Sequence, residues 1–270
     1  MKKEQEQSDE IESSNAPLVE HLSELRSRLI WSVLAFLLCM ICVFPFSKYV
    51  FNFLATPITE LLSNQNESSD LIFTGLQQGF MVNVKISFFG GFIVSFPFLG
   101  FQIWRFIAPG LYKKERLAFL PFLIASPVLF SIGAAFAYFI VLPLAFNFFL
   151  SFQNTSDLNN LVGIKYLGTI NEYLSLTMRF ILAFGICFQL PVLLTLMGKA
   201  GLVSAQSLIK VRKYAIVAIL VIAAIVTPPD VVTQVILFSV VYSLYEISIL
   251  LVKLVERKKE KVLQQMDENV

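Results

Sequence analysis

The stretch ISFFGGFIVSFPFLGFQIW, residues 86–104, and the RFIAPGLYKKER that follows it, residues 105–116, decide the fold. The first is 19 residues without a charge; the second holds Arg105, Lys113, Lys114 and Arg116. At about 1.5 Å of rise per residue the uncharged part reaches about 28 Å, one hydrocarbon thickness. Working outward, the alternation repeats. Leu29–Ser47, Leu117–Ser156, Phe180–Gly198, Tyr214–Pro229 and Val231–Tyr245 are also uncharged. Val50–Thr74 has no Lys or Arg, Ala145–Glu172 has only Lys165, and Thr227–Asp230 has none. Lys199–Lys213 holds Lys199, Lys210, Arg212 and Lys213, and the tail holds Lys253, Arg257, Lys258, Lys259 and Lys261. Basic loops stay on the cytoplasmic side. The pattern predicts an all-α integral membrane protein of six spans, near 29–48, 76–104, 117–142, 173–197, 213–228 and 231–252, with both termini inside.

Composition agrees. At 270 residues and 56% apolar, with mean hydropathy of +0.72, the chain has no room for a sizeable soluble domain beside six spans. Its basic residues are spread over several loops rather than gathered in a stripe, which argues against a nucleic-acid partner. The cysteines are Cys39, Cys42 and Cys187. Cys39 and Cys42 have a redox or metal spacing, but in an unbroken apolar run they read as small packed residues. The first 20 residues are acidic and resemble neither a signal peptide nor a transit peptide.

Met1–Ala16 reads as a disordered acidic tail, and 17–254 as the membrane domain. From Pro17, the residues Leu18, His21, Leu22, Leu25 and Leu29 recur at helical spacing, as in a short helix along the inner surface. Phe51, Leu54, Ile58, Leu61 and Leu62 predict a surface helix after the first span. Lys85 and Arg179 each precede a basic residue by 20 positions, Arg105 and Lys199. That interval makes them anchors at the outer interface; the other reading is a buried functional charge. Pro143 is expected to end the third span, leaving Leu144–Phe152 outside it. The fifth and sixth spans are short, joined by Pro228–Pro229–Asp230 in a tight turn. Residues 255–270 form a charged tail.

No Walker sequence, GxGxxG, metal-spaced His cluster or nucleophile–base pairing occurs, so neither an enzyme nor a cofactor nor a bound metal is expected. What remains is a pair of carboxylates beside basic residues near the inner face. Glu24 lies in His21–Leu22–Ser23–Glu24–Leu25–Arg26–Ser27–Arg28–Leu29, and Glu115 in Pro109–Gly110–Leu111–Tyr112–Lys113–Lys114–Glu115–Arg116. Glu24 and Arg28, four apart, suit a local surface pair. Two inward carboxylates also suit forked recognition of guanidinium groups. Both readings stand at this point.

These two motifs resemble those of the TatC family, the multispanning subunit of the twin-arginine protein translocase. The resemblance extends to Ala134–Phe139, Pro143–Phe146, Thr227–Val231 with Gln234, and Tyr245–Ile247. It implies six helices in a cupped, glove-like bundle that carries folded proteins with Arg-Arg signal peptides, driven by the proton-motive force. The implied partners are TatA-type and TatB-type single-span subunits, the signal peptides of cargo, further copies of the chain, and the lipid bilayer. By motif match Glu24, Glu115, Arg26 and Phe106 belong to signal-peptide binding, and Pro57, Asp230 and Gln234 to structural or partner contacts. Many members carry Glu in the fourth span where this chain has Gln189, so a proton-binding role is in doubt and a hydrogen bond to a partner helix replaces it. The class rival is a small secondary transporter or channel, which would place ionisable groups at the bilayer midplane. With 27 Phe and a bias towards Ile, Leu, Lys and Asn, the chain suits an AT-rich genome. The reading leans to a plastid-encoded thylakoid protein, with the bacterial plasma membrane as the alternative.

Overall fold

The computed structural model describes residues 2–64, 71–107, 120–153 and 168–267. Among them there are helices and no strand; one isolated parallel bridge joins Ile72 to Thr169. Helix α1 is Lys2–Val43, and a 3-10 turn at Phe44–Phe46, set by Pro45, leads directly into α2, Ser47–Asn64. Helix α3 is Gln78–Ile107. The third apolar run forms α4, Leu120–Phe136, a π turn at Ala137–Val141, and α5, Leu142–Leu150. The fourth forms α6, Ile170–Cys187, and α7, Leu190–Lys199. A short α8, Ala205–Lys210, precedes α9, Arg212–Val226, and the long α10, Val231–Asp267.

Five of these stretches are long and apolar enough to cross a membrane: Ser23–Ser63, Gln78–Ile103, Pro121–Leu150, Ile170–Lys199 and Val231–Lys259. Helix α9, with 15 residues, extends only about 22 Å. It is as short as the sequence led one to expect, whereas α10, with 37 residues, is a long helix and not the short sixth one expected.

Three differences from the sequence reading have local causes. Helix α1 runs unbroken from Lys2, through both the tail read as disordered and the segment read as a surface helix. Its opening is rich in Lys, Glu and Gln, good helix formers. Pro143 does not end the third helix. It falls in the first turn of α5, where a missing N–H costs little, and the π turn just before it absorbs the ring. The fourth run is two helices, broken at Phe188–Gln189, with Pro191 in the first turn of α7.

Packing in lipid relies on close approach rather than on hydrophobic collapse, so small residues sit at the contacts. Helix α1 lies along α3: a Cβ on Gly91 would be 2.7 Å from the Met40 Cα. Helix α4 crosses α6 where a Cβ on Gly133 would be 2.7 Å from the Phe184 carbonyl oxygen. Phe130, Phe180 and Phe184 fill the interior around that crossing. At one end of the bundle α2 forms a cap. Its Leu54, Ile58 and Leu62, the pattern expected of a surface helix, are buried against α3, α5 and α6. Beside it Ile72 accepts from Ile170 N at 3.2 Å and donates to Gly168 O at 2.9 Å, tying the starts of α3 and α6 together. At the opposite, tail end, Glu256 of α10 accepts from Ala205 N at 3.0 Å, closing the start of α8.

Candidate functional site

Glu24 stands on α1, half-buried, and its carboxylate accepts from Arg28 Nη2 one turn on. This is the local pair that the spacing allowed. Arg28 is the more enclosed partner, 13% exposed against 38% for Glu24, because it faces the bundle. Among the described residues its Nη1 has no hydrogen-bond partner. Arg26 is exposed, and two positions from Glu24 it leaves the helix on another face, so the structure does not bring these two together.

The α1–α3 contact sets where Glu24 stands relative to the rest of the site. Glu24 is 16 residues before Met40, and Ile107 is 16 residues after Gly91, each about 24 Å along its helix. The end of α3, with Phe106, therefore comes to the same end of the bundle as Glu24. Phe106 is described only in its backbone, and Glu115 lies outside the described residues. The chain leaves α3 there towards the segment that contains Glu115.

The other candidates lie elsewhere. Gln189 sits at the α6–α7 break, and both ends of its amide are taken by one residue of α4. Ser126 Oγ donates to Gln189 Oε1 at 2.6 Å, and Gln189 Nε2 donates to the Ser126 carbonyl at 2.9 Å. The amide thus fastens two helices of this chain. Ser126 carries no signal in the sequence, since its partner is 63 residues away.

Asp230 caps α10. Its Oδ1 accepts from Thr233 N at 2.7 Å and its Oδ2 from the Thr233 hydroxyl at 2.5 Å, the use of Asp before a helix that the D-x-x-T spacing permits. Gln234 is half-buried one position further on. Pro57 is buried within α2 and offers no surface to a partner. Near the tail end, Arg212 of α9 donates to Glu246 Oε2 of α10 at 2.6 Å, and the Tyr242 hydroxyl donates to Glu246 Oε1 at 2.9 Å. This network pins the α9–α10 hairpin together; Arg212 and Glu246 are 34 apart, beyond the reach of spacing arguments. No group of His, Cys, Asp and Glu among the described residues is arranged to hold a metal ion.

The family model described as Sec-independent protein translocase protein (TatC) matches residues 20–239. The chain belongs to the TatC family. A TatC of Magnetococcus marinus is 49% identical over 90% of this chain and 86% of its own length. That of Aquifex aeolicus is 44% identical over 91% and 98%, and that of Escherichia coli 37% over 86% and 86%. Among solved structures, a crystal structure described as the twin arginine translocase receptor TatC has a TM-score of 0.75. It is 44% identical, over 87% of this chain and 99% of that one. As a TatC, the chain is a multi-pass membrane component of a protein translocase, a transport subunit and not an enzyme. The transporter or channel alternative falls with that assignment.

Proposed function

We propose that this chain is the receptor subunit of a twin-arginine translocase, which binds Arg-Arg signal peptides at the tail end of its bundle. The observation that carries the proposal is the placement of Glu24 at the end where α3 leads into the segment bearing Glu115. Each carboxylate accepts one guanidinium of the signal in a two-bond fork, with Phe106 at the same end of the bundle and Arg26 on another face of α1. Glu24 already accepts one charged bond from the Arg28 guanidinium, so the signal enters by exchange. In this reading the chain crosses the membrane six times, α9 being the short fifth crossing, with both termini in the cytoplasm. It recruits TatA-type and TatB-type subunits and further copies of itself, and the proton-motive force drives transport of the folded cargo. Gln234, half-buried beside the Asp230 cap, is the hairpin's contact to a partner helix. The relatives named above are bacterial, which supports the bacterial plasma membrane and leaves the thylakoid reading without support.

The test compares signals that differ only in geometry. Purified chain is titrated with a labelled signal peptide bearing Arg-Arg, and with the same peptide bearing Lys-Lys. Lysine keeps the charge and loses the planar fork. The proposal expects at least about tenfold weaker binding of the Lys-Lys peptide, since charged hydrogen bonds contribute about 1.5–3 kcal/mol each. Equal affinity for the two peptides would show that charge alone is read and would sink it.

A further inference from the structure

Pro57 lies inside α2. A helix bonds each N–H to the carbonyl four residues back, and proline has no N–H, so the Phe53 carbonyl is left without its helical donor. The hydroxyl of Tyr138, 85 residues away in the π turn, donates to that same carbonyl at 2.6 Å. The Tyr138 ring lies flat on the Phe53 ring, with centroids 4.4 Å apart and planes 8° from parallel. Tyr138 is 7% exposed, so its hydroxyl is held in place by its surroundings. On α6 the hydroxyl of Tyr173 donates to the next carbonyl, that of Leu54.

We infer that Tyr138 is a positioning residue whose hydroxyl replaces the helical donor Pro57 lacks, so that the Pro57–Tyr138 pair, with Tyr173 beside it, fixes the α2 cap to the third and fourth spans. In a regular α2 the Phe53 carbonyl would already have a helical donor, and the Tyr138 hydroxyl would be its second rather than its first. The proline turns a helix defect into a bond between elements. The π turn places Ala137, Tyr138 and Val141 all in the interior, which brings the Tyr138 hydroxyl within reach of the cap. The cap so held is one wall of a cavity of about 400 Å³, lined among others by Val50, Phe53, Leu54, Gly90, Phe130 and Tyr138. The setting of α2 therefore sets the shape of that cavity. This role of Pro57 needs no contact with a partner, in keeping with its burial, and it does not depend on which ligand the carboxylates bind.

Hydrogen exchange of the α2 backbone amides, measured on the purified full chain, tests it through a double-mutant cycle. Tyr138→Phe keeps the ring and its stack on Phe53 and removes only the hydroxyl. In the wild-type background it should raise α2 exchange about tenfold, as expected when a buried carbonyl loses its donor. In the Pro57→Ala background position 57 again has an N–H, and the same change should move exchange less than about twofold, because the carbonyl keeps a donor. Tyr173→Phe is the control: the Leu54 carbonyl faces the N–H of Ile58, so its effect should be the same in both backgrounds. If Pro57→Ala does not fold, Pro57→Ser restores the same N–H and is read in the same way. Equal rises from Tyr138→Phe in both backgrounds, no rise in wild type, or equal rescue of Tyr173→Phe would each overturn the inference.

Discussion

Replacing Gln189 by Leu removes both hydrogen bonds between the α6–α7 break and α4 while keeping the volume of the side chain. Hydrogen bonds between helices in a bilayer average about 0.6 kcal/mol and reach about 1.7. The two bonds, at 2.6 and 2.9 Å, are thus worth about 1–2 kcal/mol together. Ser126→Ala removes only the hydroxyl bond and leaves the Gln189 amide donating to the residue 126 carbonyl, so it should cost about half as much. Gln189→Asn is one methylene too short to span the gap and should behave nearly as Leu does. Unfolding of the purified chain in graded detergent mixtures, with both single variants and the double variant, gives the coupling energy. Gln189→Leu should cost less in the Ser126→Ala background than alone. Full additivity, or unchanged unfolding of Gln189→Leu, would refute the pair and return Gln189 to the surface as a partner contact.

Asp230→Ala should destabilise the α9–α10 hairpin by about 1 kcal/mol through loss of the helix cap, seen as faster hydrogen exchange at the start of α10, whereas Asp230→Asn should retain most of it. On sequence alone Glu256 looks like an inert surface residue; because it accepts from Ala205 N, Glu256→Ala should instead loosen α8, by about 0.5–1.5 kcal/mol in unfolding. In a background without Cys39, Cys42 and Cys187, Leu76→Cys at the cap end and Leu202→Cys at the tail end, both exposed, should be labelled by an impermeant thiol reagent from opposite sides of the membrane. Labelling from one side would contradict the six-span orientation.

The sequence made the membrane-crossing helices legible because lipid imposes length and charge rules that act locally. The amphipathic cap was legible for the same reason: Leu54, Ile58 and Leu62 recur at helical spacing, and all are buried. What could not be read was pairing across distance. Nothing near Gln189 or Ser126 announces the other, and nothing near Glu256 announces the start of α8. The proline cases are intermediate. Pro143 looks like a stop because the π turn that accommodates it has no composition of its own. Pro57 inside an apolar helix does imply an orphaned carbonyl at Phe53, and that carbonyl calls for a donor. The sequence poses the requirement, and only the fold shows that Tyr138 meets it. At the carboxylate site the family motifs single out Glu24 and Glu115, while the spacing alone gave the Glu24–Arg28 pair, which the structure contains.

The central claim is that two carboxylates at the tail end read the signal by geometry. The most direct measurement is the affinity of the purified chain for an Arg-Arg signal peptide in Glu24→Gln and Glu115→Gln, with Glu172→Gln, an exposed residue at the cap end, as control. The amide keeps one acceptor oxygen and turns the other into a donor, so each of the first two should bind about tenfold more weakly or worse. The control should bind as the wild type does. Wild-type affinity in both Glu24→Gln and Glu115→Gln would contradict the account.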